Sequence, residues 1–176
     1  IDESESTWEK LLGTPYEKYI PATVSLTPEE AKRAGFGPTN SRKWVVENRF
    51  QSRAIRDEVN HPLRVRRELE DVPGRLAQMD EMGVDIQVIF PTFFIRYNTD
   101  NAEAEWALTT TYNRWLAKKC APTNGRLQWA AMLPLLSPEK AAEEVRWAKE
   151  NGACGIFKRG FDLDRRVTDP HFFPVY

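Results

Sequence analysis

The sequence predicts an α/β protein with parallel strands, and three observations carry that prediction. Apolar runs stopped by proline alternate with helix-like segments along residues 71–176. The runs are apolar enough to be buried on both faces, as parallel strands are. Each intervening segment is long enough for the helical crossover that two parallel neighbours require. A doubly wound sheet and a (β/α)8 barrel both satisfy this pattern.

The elements follow in order. Asp71-Val72-Pro73 opens a helix in which Leu76, Met79 and Met82 keep helical spacing, and Gly83 closes it. Residues 84–90 first alternate and then become wholly apolar, so a buried strand is expected, with Pro91 ending it. A long helix is predicted from about Asn101 to Cys120, with Leu108, Tyr112, Trp115, Leu116 and Cys120 on one face. Pro122-Thr123-Asn124-Gly125 is a turn, and Leu127 to Leu133 is the next strand, ended by Pro134. Ser137-Pro138-Glu139 starts another helix, with Ala141, Val145 and Ala148 inward and Asn151-Gly152 at its end. Residues 153–157 form a third strand, and Asp169-Pro170 begins a last amphipathic element.

Residues 1–70 read as irregular. Tyr16 to Pro21 and Pro38-Thr39-Asn40-Ser41 look like loops, and His61 sits in a loop, Asn60-His61-Pro62. One short helix stands out, at Thr27-Pro28-Glu29-Glu30, where Thr27 and Glu30 have the spacing of a capping box. Between Arg42 and Arg75 there are nine Lys/Arg against six Asp/Glu. That excess has two readings, a solvated ion-paired face or a lid that attracts an anionic substrate.

Composition narrows the function classes. The chain has 176 residues and a formal net charge of −1, which argues against a basic nucleic-acid binder. Six Trp, nine Phe and five Tyr supply the apolar bodies of a folded core, among them Trp106, Trp115, Trp129 and Trp147. No apolar run approaches the ~18 residues of a membrane span, so no membrane partner is expected. Cys120 and Cys154 lie in apolar surroundings and read as reduced core thiols, which suits a cytoplasmic protein. Neither a glycine-rich dinucleotide loop nor a Gly-Lys-Ser/Thr phosphate loop follows a strand.

Five segments, in order, resemble one family. They are residues 75–92 (RLAQMDEMGVD with QVIFPT), residues 112–117 (YNRWLA), residues 126–144 (RL, AAMLPL and SPEKAAEE), residues 152–156 and residues 169–176 (DPHFFPVY). This set is similar to the amidohydrolase-related family of metal-dependent hydrolases, which includes aminocarboxymuconate-semialdehyde decarboxylase. The resemblance implies a (β/α)8 TIM barrel, here a partial one with an irregular N-terminal insertion. Residues 1–176 would be the N-terminal portion of that single domain, with 1–70 as first-strand stub and lid-like insertion and 71–176 as successive βα units. Residues are expected to be missing between Asp2 and Glu3, and further strands to follow Tyr176. The resemblance also implies one divalent metal ion, zinc first, with manganese or iron as alternatives. Water activated on the metal would attack a small, aromatic or carboxylate-bearing substrate. Non-oxidative decarboxylation is the alternative chemistry, a non-catalytic binding module a second alternative, and a homodimer a further expectation.

The sequence departs from that family at its metal ligands. Its two histidines, His61 and His171, form no His-x-His pair, and Asp2 alone remains of the first-strand ligand turn. No metal ligand is therefore assigned, and the catalytic residues stay unassigned. Substrate contacts are expected where strands end, because barrel chemistry gathers at that face. Thr92, Phe93 and Phe94 follow the strand 84–90 and form either a substrate wall or ordinary packing. Lys158 and Arg159 follow the third strand and either hold a substrate carboxylate or face solvent. In the decarboxylase an arginine ahead of the second strand binds substrate carboxylate, and Arg49 and Arg53 lie in that region here.

Overall fold

Two three-stranded sheets of opposite kind divide the chain. The computed structural model describes residues 1–35, 42–53 and 61–176, with the backbone alone given at 52 and 61–63. The loop expected at Pro38-Thr39-Asn40-Ser41 lies outside the described residues. In the first half, β1 (Ala22–Ser25), β2 (Arg42–Val46) and β3 (Arg49–Ser52) form an antiparallel sheet in the order β1-β2-β3. Between them, α1 (Pro28–Arg33) starts with the expected capping box: Thr27 Oγ1 accepts from Glu30 N at 3.3 Å, and Thr27 N donates to Glu30 Oε2 at 2.8 Å. The stretch read as loop from Tyr16 instead contains a 3-10 turn, Glu17–Tyr19, and runs directly into β1. His61 opens a helix, α2 (His61–Arg67), rather than lying in a loop, since Pro62 is tolerated in a first helical turn.

The second half follows the predicted alternation. Helix α3 (Val72–Glu81) begins where the Asp71 side chain accepts from Gly74 N at 2.8 Å. It ends before Gly83, whose φ of 66° only glycine adopts freely. Strand β4 (Gln87–Ile89), helix α4 (Ala102–Cys120), strand β5 (Leu127–Ala131), helix α5 (Pro138–Glu150) and strand β6 (Ala153–Ile156) follow in turn. β4, β5 and β6 form a parallel sheet in chain order, open at both edges. The fold is thus mixed α/β with one parallel sheet, and no sheet among the described residues closes into a barrel. Beyond β6, β7 (Phe161–Asp162) and β8 (Arg165–Arg166) make a small hairpin whose two turn residues, Leu163 and Asp164, have φ of 54° and 56°.

The core lies between α4, the helix-facing side of the parallel sheet and the N-terminal segment. Leu108, Tyr112, Trp115, Leu116 and Cys120 are all buried, as their spacing requires. Phe93 joins the two halves: its ring centroid lies 5.0 Å from Trp8, 5.9 Å from Trp44 and 4.9 Å from Phe94. Fully burying each such ring is worth about 1.5–3 kcal/mol. On the sheet, Ile89, Leu127, Trp129 and Ala131 are buried, and Trp129 meets Trp147 of α5 at 6.3 Å.

Three expectations need correction. Met82 is 55% exposed, because α3 has already ended and the residue caps the helix outside the core. Cys154 is exposed, because it lies on β6, an edge strand uncovered on that side. The strand 84–90 is buried on one face only: Ile86, Val88 and Phe90, alternate residues, are all exposed while Ile89 is buried. Right-handed crossovers between strands in chain order place α4 and α5 on one side of the sheet, and Ile86, Val88 and Phe90 are left exposed. No helix among the described residues is long and apolar enough to cross a membrane.

Candidate functional site

The segments that leave the C-terminal ends of the three parallel strands meet in one cleft. An inner recess of about 20 Å3, room for a single water, is lined by Phe94, Tyr97, Glu105, Phe157 and Arg159, among others. It adjoins an outer part of about 540 Å3, open to solvent, which shares Tyr97, Arg159 and Asp162 with it and adds Arg49 and Asp100. Residues 90–100 come from β4, Met132 to Leu136 from β5 and 157–162 from β6. The β7–β8 hairpin forms part of the rim, through Leu163 and Asp164. This is the face at which open parallel sheets and barrels alike bind ligands.

The cleft is built around paired charges. Arg159 donates from Nε to Asp162 Oδ1 at 2.5 Å and from its backbone N–H to Asp162 Oδ2 at 3.1 Å. Its guanidinium lies 5.6 Å from the Tyr97 ring, and Arg49 approaches the same ring at 5.5 Å. Arg49 is in turn paired with Asp100. Burial, together with the charges of Glu105 and Asp100, pushes the Tyr97 phenol up to about 12, so it remains a neutral donor. Glu105, in the first turn of α4, accepts the Leu136 N–H at 2.7 Å. Burial first, and the nearby Asp162 carboxylate second, push its carboxyl up to about 7 against the pull of Leu136 N–H and Arg159.

The predicted contact residues separate into two groups. Phe94 and Arg159 line the cleft. Thr92, Phe93 and Lys158 lie outside its lining. Thr92 binds the buried carboxylate of Glu3: its N–H donates to Glu3 Oε1 at 3.1 Å, and its hydroxyl lies 2.7 Å from both Glu3 Oε2 and Ile1 O. Phe93 N donates to Glu3 Oε2 at 2.9 Å, and its ring is in the core. Burial raises the Glu3 carboxyl above the usual carboxylate range. Lys158 donates to Tyr176 Oη at 2.7 Å, and its ammonium sits 3.4 Å from the Phe172 ring centroid.

Of the two arginines ahead of the second strand, Arg49 faces the cleft and Arg53 does not. The Arg53 side chain is 4% exposed, paired with Glu5 and stacked 4.2 Å over Trp44. Glu105 and Tyr97 were not singled out by sequence. Glu105 shares the stripe of Leu108, Tyr112 and Leu116, and an acidic residue on an apolar stripe is the signal that would have found it.

The residues described do not fit the divalent metal that the resemblance implies. Among the described residues no group of three His, Cys, Asp or Glu side chains is placed to hold an ion. Asp2 pairs with Arg67 at 3.2 Å, Asp162 is engaged by Arg159, and a His171 ring nitrogen lies 2.8 Å from Leu135 O. A scan of protein-family models finds no match to the chain. A search of curated proteins finds no match either.

Proposed function

We propose that this cleft binds a small aromatic or unsaturated carboxylate, within a hydrolase of the amidohydrolase type. One observation carries the reading. Two guanidiniums flank a neutral phenol in the outer part of the cleft, at the C-terminal ends of three parallel strands. Arginine offers a carboxylate two parallel N–H donors, and Tyr97 and Phe161 supply aromatic surface for an apolar body.

On this reading β4, β5 and β6 are one sector of a (β/α)8 barrel. Adjacent strands in chain order with both crossovers on one side suit that architecture, and so does the uncovered apolar side of β4. The N-terminal segment lies beside β4, where Ile1 N donates to Phe90 O at 3.1 Å, the place a preceding strand would occupy.

Decarboxylation is the second reading, and Glu105 favours it. Loss of CO2 from a carboxylate leaves an electron pair on carbon that a proton must take up. A buried carboxyl at about 7 holds such a proton at neutral pH half of the time.

Calorimetric titration with benzoate tests the binding reading. Arg49→Gln and Arg159→Lys should each weaken benzoate about tenfold, the range of a lost charge-assisted hydrogen bond, with far-UV circular dichroism unchanged. Unaltered affinity in both variants would overturn the reading. CO2 release from a turned-over acid separates decarboxylation from hydrolysis, and binding without turnover identifies a non-catalytic module.

A further inference from the structure

The charges that line the cleft do not balance. Among its described residues, Arg49, Arg96 and Arg159 face Asp100, Asp162, Asp164 and Glu105, three cations against four carboxylates. A fully ionised cleft of this kind repels the anion its arginines are shaped to receive. Asp100 and Asp162 are locked in ion pairs. Among the described residues no cation lies within ion-pair distance of Glu105, which is held by the Leu136 N–H. A carboxylate has about four acceptor positions, so this one is poorly satisfied where it is buried.

Resting on the carboxylate-binding reading above, we propose that the cleft takes up its carboxylate ligand together with one proton, carried by Glu105 as a carboxylic acid. The proton comes from solvent and no bond other than Glu105 O–H is made. Protonation brings the lining to three charges of each sign. It also turns Glu105, at the inner end of the cleft, from a charge that repels the ligand into a neutral group. The bound anion then holds the proton in place by the same repulsion.

The groups around Glu105 fix the direction of the effect. Asp162, ahead of the β7–β8 turn, favours the protonated form, and Arg159, after β6, opposes it. Tyr97, between β4 and α4, stays neutral. From the β5 side, Leu136 N–H favours the charged form, and His171 reaches the neighbouring Leu135 O. With the free carboxyl at about 7, a ligand that binds only the protonated form loses about tenfold in affinity between pH 6 and pH 8.

Titrating the whole chain with benzoate at pH 6, 7 and 8, in two buffers of different ionisation enthalpy, measures both quantities. The expected result is an approximately tenfold weakening over that range, with uptake approaching one proton per benzoate at pH 8. Glu105→Gln should bind at pH 8 about as tightly as the wild type does at pH 6, without proton uptake. That variant leaves His171 intact, so a pH dependence that survives in it overturns the inference. Benzoate binding with no pH dependence and no proton uptake in the wild type overturns it as well, while the carboxylate-binding reading stands. No benzoate binding at any pH removes that reading and the inference together.

Discussion

Glu105 is a carboxyl that folding makes harder to ionise, and the chain's stability must register this. Its proton is held up to about pH 7 in the folded state, against 4.5 for an ordinary glutamate side chain. Below about pH 4.5 both states keep the proton and burial carries no ionisation cost. As the pH rises to about 7, the folded state binds more protons than the unfolded one, so stability falls. Above that the cost is constant. Glu105→Gln removes the ionisation, and its stability advantage over the wild type should be about 2–3 kcal/mol larger at pH 8 than at pH 5. Urea unfolding at the two pH values measures this, and an equal difference at both would contradict the assignment of the raised carboxyl. The same residue shows why a sequence conceals such a group. Glu103 and Glu105 look alike as acidic residues near a helix start, where the helix dipole favours them. Glu103 is exposed and Glu105 faces the cleft, a difference set by the segment after β5 that packs over α4.

At the scale of elements, α4, β5 and α5 are fastened through one buried amide. Asn113 Nδ2 donates to Met132 O at 2.8 Å and to Glu144 Oε1 at 2.7 Å, and its Oδ1 accepts Met132 N at 2.9 Å. Asn113→Ala leaves a buried N–H and a buried carbonyl at the end of β5 without partners. It should cost about 2–4 kcal/mol in urea unfolding; a loss under about 0.5 kcal/mol would mean that water replaces the amide. These three elements were legible in the sequence because their apolar residues keep period 3.6 or run unbroken to a proline. The β1-β2-β3 sheet was not legible, for a physical reason. Its buried positions include Lys43 and Gln51, and Arg53 follows directly, so the hydrophobic alternation that marks a strand is absent. Its tight turn uses Glu47-Asn48, with Glu47 at φ 51°, instead of the Asn-Gly that advertises a hairpin. The contact residues divided for a related reason. Position after a strand end was readable, but which of Thr92, Phe93 and Phe94 turned to the cleft depended on Glu3, 89 residues away from Thr92.

At the scale of the molecule, the parallel sheet is finished on one side only. Ile86, Val88 and Phe90 are 57%, 41% and 50% exposed, a contiguous apolar strip along β4. Such a strip should bind an apolar dye in the native state. Replacing Val88 by Thr together with Phe90 by Ser should lower anilinonaphthalene sulfonate fluorescence while leaving the urea midpoint in place. Undiminished fluorescence would locate the dye elsewhere. The β7–β8 hairpin stores backbone strain at the rim of the cleft. Leucine in the left-handed region costs about 1–2 kcal/mol relative to a right-handed conformation, and Leu163 adopts it in the turn. A two-residue hairpin needs that conformation to match the twist of its strands, and glycine would adopt it without the cost. The strain therefore lies at the mouth of the cleft, on a residue that lines it.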